Sequence, residues 1–189
     1  MKKLLGFSIF LVFVLIASLT AEAKVTLPAI FSDNMVLQQN TQVNVWGKAA
    51  PGEKVTVKAS WLDKAVTAKA AANGKWTVKL KTPKAITNQS VTVSGENEIT
   101  INNVLIGEVW LCTGQSNMEF PVSRHPDVKW NTGMLNEAEE LKDADYPEIR
   151  LFHVKHQLAH EGELDDCEGE WLVCNPKNLY DFSAVPAYT

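Results

Sequence analysis

The sequence predicts two styles of structure in series, an antiparallel β-sandwich over residues 24–105 and the opening of an α/β layer over residues 106–189. Three observations carry this. Residues 43–101 hold short runs in which apolar and polar residues alternate, the pattern of a strand with one face buried and one in water. Turn chemistry separates the runs: Pro51-Gly52, Asn73-Gly74 and Ser94-Gly95-Glu96-Asn97. From Val104 onward the alternation gives way to unbroken apolar runs and a helix-spaced segment.

The elements follow in order. Lys2 and Lys3 precede an apolar stretch from Leu4 to Leu19, and Ala21-Glu22-Ala23 supplies a small-residue cut site. This is the layout of an export signal, and the stretch is short for a membrane span. The expected mature chain, residues 24–189, is periplasmic or extracellular, with no stable membrane insertion after cleavage. In the β half, Val43-Asn44-Val45-Trp46, Lys54 to Lys58, Lys75 to Leu80, Val91-Thr92-Val93 and Ile99-Thr100-Ile101 read as strands, and Asn73-Gly74 is a hairpin signal.

Beyond this half, Val104-Leu105-Ile106 and Val109-Trp110-Leu111-Cys112 read as strand buried on both faces. Met134, Leu135, Ala138 and Leu141 give residues 131–142 a helical spacing with Glu137, Glu139 and Glu140 outward. Glu148 to Val154 returns to strand, and Asp181 is placed to cap a helix starting at Phe182. Strand, helix, strand and incipient helix suggest a parallel layer. A doubly wound layer needs more βα units than residues 104–189 supply, so the chain is expected to be the front piece of a longer protein.

Charge and composition narrow the function. The net charge of −4 becomes −5 once Lys2, Lys3 and Glu22 leave, and no basic patch suggests nucleic acid. Three cysteines cannot all pair. Cys112 is expected as a buried thiol, while Cys167 and Cys174 either close a small loop around Trp171 or remain free. His153, His156 and His160 lack zinc spacing, a strand placing His153 and His156 on opposite faces. Asp165, Asp166 and Glu168 read as a solvated acidic loop. Trp46, Trp61 and Trp76 are candidates for stacking on sugar, although a sandwich core claims most such residues.

The most informative stretch is Gly107 to Met118, in which an apolar run ends in Thr-Gly-Gln and a serine stands where a turn becomes a helix. Ser116 has two readings. Either the turn exposes it as a nucleophile beside free helical N–H groups, or it caps the helix. Gly114 would relieve crowding at the turn, and Gln115 and Asn117 flank the serine with amides. Met118 breaks the Gly-x-Ser-x-Gly elbow pattern, and Pro121 must end the helix soon after it starts.

Gly107-Glu108-Val109-Trp110-Leu111-Cys112-Thr113-Gly114-Gln115-Ser116-Asn117-Met118-Glu119-Phe120-Pro121 resembles the first block of the sialate O-acetylesterase family, SGNH-type carbohydrate esterases related to acetylxylan esterases. Leu27 to Gln38, Val45-Trp46-Gly47, Pro51-Gly52-Glu53, Gly74-Lys75-Trp76, Ile149 to Phe152 and Asp181 to Val185 extend the resemblance over nearly all of residues 24–189. It implies a truncated α/β/α SGNH-hydrolase (flavodoxin-like) domain after the sandwich. It also implies hydrolysis of O-acetyl esters on sialic acid or related acetylated sugars, with Ser116 as nucleophile and Gly114, Gln115 and Asn117 on the substrate and oxyanion loop. No cofactor or metal is implied.

The resemblance further implies a histidine base in an Asp-x-His or Asp-x-x-His context and a Trp-x-Gln-Gly-Glu-type segment. His125, His153, His156 and His160 all lack that aspartate, and the segment is missing, so the chain as it stands is expected to be inert. Pro186 also departs from the family pattern. Two other readings are a carbohydrate-binding β-sandwich module and a membrane-surface protein held by its N-terminal helix.

Overall fold

The computed structural model describes residues 24–129, 131–160 and 162–187, so the segment read as an export signal lies outside the described residues. The alternating runs fold as strands with their apolar positions inward. In chain order these are β1 (Val36–Gln38), β2 (Gln42–Lys48), β3 (Lys54–Ala59), β4 (Val66–Lys69), β5 (Lys75–Lys81), β6 (Ile86–Ser94) and β7 (Glu98–Gly107). Five of them form one sheet in the order β1-β7-β6-β3-β4, with β1 parallel to β7 and the other pairs antiparallel. β2 and β5 form a separate antiparallel ladder from Gln42↔Lys81 to Lys48↔Lys75.

Both sheets send one face into a common core. Val45, Trp76, Val78 and Leu80 come from the ladder; Val55, Val57, Val91, Val93, Ile101 and Val104 come from the five-stranded sheet. The ladder needs a glycine at position 47. A Cβ there would run into the Thr26 carbonyl and lie 2.9 Å from Trp76 Cζ2.

Of two turns read from the sequence, one behaves as expected and one does not. Ser94 to Asn97 joins paired neighbours β6 and β7 as a true hairpin connection, and Asn97 also accepts the Val25 N–H at 2.7 Å. Asn73-Gly74 does not join a hairpin. It carries the chain from β4 in one sheet to β5 in the other, with Gly74 at φ +77° and the Asn73 side chain accepting the Lys75 N–H. The dipeptide specifies a tight left-handed turn but not which strands will pair.

Past the β half the structure departs further from the expected layer. Val104-Leu105-Ile106 completes β7, whose ladder with β1 stops at Gln38↔Gly107. Val109 to Cys112 is therefore not a strand buried on both faces. It has no partner ladder among the described residues, and Trp110 and Leu111 are 84% and 90% exposed.

The remaining elements are α1 (Glu137–Asp143), β8 (Tyr146–Phe152), β9 (Trp171–Cys174), α2 (Pro176–Leu179) and α3 (Ala184–Ala187). β8 and β9 pair antiparallel, not parallel. The helix expected from residue 131 starts only at 137. The buried Asn131 amide donates to the Ser123 carbonyl at 3.2 Å and accepts the Gly133 N–H at 2.9 Å, a local alternative to helical hydrogen bonding. Asp181 caps no helix, since α3 begins at Ala184. Pro186 sits in the first turn of α3, where a missing N–H costs nothing. A small second core of Val122, Ala144, Leu151, Cys174 and Leu179 holds these pieces.

All three cysteines are free. Cys112 is exposed, contrary to the expectation of a buried thiol, because the segment that carries it is unpaired. Cys167 and Cys174 do not bridge; burial raises both thiol pKa values, with Asp166 adding to the effect at Cys167.

Two outcomes follow from this packing. Leu80→Ala, at a position with 0% exposure in the shared core, is expected to lower unfolding free energy by about 2–5 kcal/mol in urea titration. A loss under about 1 kcal/mol would mean that the two sheets do not share a tight core. With iodoacetamide at pH 8, Cys112 is expected to alkylate at least ~10-fold faster than Cys174, and Cys112→Ser should remove the fast phase.

Candidate active site

The serine segment is anchored where it leaves the sheet. Glu108 accepts hydrogen bonds from Gln38 Nε2 at 3.0 Å and Gln39 Nε2 at 2.7 Å, and the Val109 N–H donates to Gln38 Oε1 at 2.9 Å. Those two amides, Gln38 first, hold the Glu108 carboxyl below its ordinary pKa. The chain then runs without regular structure to a single 3-10 turn, Ser116–Glu119.

Ser116 is the first residue of that turn. Gln115 occupies the capping position and no side chain caps it, so the capping reading of Ser116 is set aside. Gln115, Ser116 and Asn117 are all exposed, and among the described residues Ser116 Oγ has no hydrogen-bond partner. The glycine at 114 has a local cause: a Cβ there would lie 2.9 Å from Met118 Cγ. Pro121 ends the turn as expected, with Phe120 already extended at φ −77° and ψ 107°.

Two segments singled out in the sequence meet here. Pro121 bridges Ser183, the Val122 N–H donates to the Phe182 carbonyl at 3.0 Å, and the Ala184 N–H donates to the Phe120 carbonyl at 2.8 Å. Residues 181–185 therefore brace the chain just after the serine turn, an arrangement no local pattern in either segment announces.

Titratable groups near the turn pair in ways the sequence did not suggest. Glu119 Oε1 lies 2.7 Å from His156 Nε2. In a 3-10 turn residues three apart eclipse, so Glu119 and Ser116 share one side of it. Asp181 Oδ1 lies 2.9 Å from His125 Nε2. Nothing in the sequence marked His156 as the partner of Glu119 or His125 as the partner of Asp181. β8 ends at Phe152, so His153 and His156 do not alternate across a strand; the His153 ring faces Phe182 at 6.2 Å.

The other candidates are dispersed. The acidic residues 165, 166 and 168 are exposed but not idle. Asp165 binds Lys48 and Lys75, Asp166 accepts the Ala29 N–H at 3.0 Å, and Glu168 lies 4.0 Å from Lys155. Among the described residues no three His, Cys, Asp or Glu side chains gather as a metal would need. Trp76 is buried in the core, Trp61 packs against it, and Trp46 is 39% exposed. Among the described residues no helix is long and apolar enough to cross a membrane.

Known proteins supply the context. No protein-family profile matches the chain. The mouse sialate O-acetylesterase is 31% identical over 150 residues, covering 73% of this chain and 26% of that protein. The rat enzyme is 30% identical over 165 residues, covering 80% and 29%. The crystal structure of a carbohydrate acetylesterase from Xanthomonas citri superposes with a TM-score of 0.75 at 30% identity, over 86% of this chain and 35% of that one. The chain thus spans roughly a quarter to a third of the length of the proteins it matches. On shared sequence and shared fold together, it belongs to a sialate O-acetylesterase-like family of carbohydrate esterases.

Proposed function

We propose that the chain carries the nucleophile of an exported, SGNH-type carbohydrate O-acetylesterase, with Ser116 as the attacking group and O-acetylated sialic acid or a related acetylated sugar as substrate. The observation that carries the reading is the placement of Ser116. It opens an exposed turn with its hydroxyl uncommitted among the described residues, inside the block that resembles the family's nucleophile segment. Gly114, Gln115 and Asn117 form the adjoining substrate and oxyanion loop.

The chemistry is acyl transfer in two steps. Ser116 Oγ loses its proton to a base and adds to the acetyl carbonyl, and the tetrahedral intermediate collapses by expelling the sugar hydroxyl. Water then adds to the acetyl-serine, and acetate leaves with the serine restored. The oxyanion formed in each step needs preorganised donors, of which the Ser116 backbone N–H is one.

This scheme requires a base that the local structure does not provide. None of the four histidines is hydrogen-bonded to Ser116 among the described residues, and His156 and His125 are engaged by Glu119 and Asp181. The reading assigns the Asp–His pair and the remaining oxyanion donors to the additional length of the matched proteins.

The 189-residue chain is expected to hydrolyse p-nitrophenyl acetate no faster than its Ser116→Ala variant. A rate clearly above that variant would mean that a resident histidine, His156 first, serves as base. In a longer chain that includes the Asp–His pair, Ser116→Ala should lower kcat/KM on O-acetylated sialic acid by at least about 10³-fold. Unchanged activity there would remove Ser116 from the mechanism.

A further inference from the structure

Away from the serine segment, a cleft of about 310 Å³ lies between the β2–β5 ladder and the loop bearing Asp165 and Asp166. Trp46 and Trp76 contribute aromatic surface to its lining, and Lys48, Lys75, Asp165 and Asp166 contribute charge. Lys48 and Lys75 are cross-strand partners at the end of β2 and the start of β5, so the ladder itself sets them side by side. Asp165 fills the space between them, with Lys75 Nζ 2.7 Å from Oδ1 and Lys48 Nζ 3.1 Å from Oδ2. Each oxygen of one carboxylate thus has its own ammonium. Lys75 first, and then Lys48, hold the Asp165 carboxyl below its ordinary pKa, so it stays charged at neutral pH.

Asp165 does not have to hold its loop in place. Asp166 accepts the Ala29 N–H at 3.0 Å, and Trp171 Nε1 donates to the Ile30 carbonyl at 2.8 Å. The Asp165 contacts are surface ion pairs, about half exposed on both sides, and solvent screens such pairs strongly. A second carboxylate can replace this one at little cost. Beside the pair, Trp46 packs edge-on against Phe31, with centroids 4.6 Å apart, and leaves 39% of its surface open. An exposed indole next to a carboxylate receptor suits a ring that bears an acid group. The Asp166 carboxylate also lines the cleft, where its Oδ1 accepts the Ala29 and Cys167 N–H groups.

We infer that this cleft binds a carboxylated saccharide, whose carboxylate replaces Asp165 between Lys48 and Lys75 while a sugar ring lies against Trp46. Asp165 is then a resident competitor that keeps the two lysines paired when no ligand is bound. The site does not involve Ser116 and stands whether or not the esterase reading does.

Isothermal titration of the full chain with trigalacturonate, and with its methyl ester as the uncharged control, tests this. Trigalacturonate is expected to bind, with the methyl ester at least about fivefold weaker. Asp165→Asn, which keeps the side chain's shape, should tighten trigalacturonate by about fivefold, and raising the salt to 1 M should weaken it. Lys48→Gln/Lys75→Gln should lose binding with urea unfolding little changed at these surface positions, and Trp46→Ala should lose binding while circular dichroism shows the chain still folded, whereas Ser116→Ala should bind as the parent does. Equal binding of acid and ester, no gain on Asp165→Asn, or no binding at all would overturn the proposal. Loss of esterase activity in a longer chain without loss of trigalacturonate binding would count only against the esterase reading.

Discussion

A Cβ on residue 47 would run into the Thr26 carbonyl and lie 2.9 Å from Trp76 Cζ2. This close approach can be made only by glycine, and much of the β half depends on it. It lets a large indole enter the shared core from β5 while β2 stays hydrogen-bonded to β5 along its full length. It also brings Thr26 alongside β2, where Thr26 and Lys48 exchange backbone hydrogen bonds at 2.8 and 3.0 Å. The cleft wall, the ladder that pairs Lys48 with Lys75, and the core are thus one packing solution.

The two ends of the described chain are held by different means. The β half closes a core of seventeen buried residues, many with no exposed surface. The part after Gly107 closes one of five, and it relies on backbone stitching between residues 120–123 and 180–184. Stability in such a molecule is uneven, and the region with fewer buried apolar contacts opens at lower free energy. The serine turn belongs to that region, so its geometry is more open to adjustment than that of the β half.

Alternation was a reliable guide because each strand of the β half has one face on a core and one in water: Lys75 to Lys81 alternates residue by residue between exposed and buried. It failed where tertiary pairing decides. Asn73-Gly74 forms the turn its residues demand, yet β4 and β5 lie in different sheets. β1, β4 and β9 are too short for periodicity to register and exist because a neighbour offers a free edge. Val109 to Cys112 has a buried strand's composition, but a strand needs partners for its N–H and C=O groups, and none is present among the described residues. The same gap put Cys112 in solvent. At the site, the serine and its glycine were legible because their constraints are local, whereas the Glu119–His156 and His125–Asp181 pairs join residues far apart in sequence.

Those two pairs bear on the role proposed for the serine. A carboxylate that holds an imidazole nitrogen fixes the ring's orientation, which is the task of the third member of a catalytic triad. Glu119 does this to His156 from the same turn that presents Ser116, and Asp181 does it to His125 beside the segment that braces that turn. Orientation alone is insufficient: the ring's second nitrogen must face the serine hydroxyl, and Ser116 Oγ is bonded to neither histidine. The pairs are exposed surface contacts that link the turn and its brace to neighbouring segments. His156 tethers the loop after β8 to Glu119, and Asp181 tethers residues 181–185 to the segment after Val122. Neither pair reaches Ser116 Oγ among the described residues, so on the proposed esterase reading the serine still needs a base.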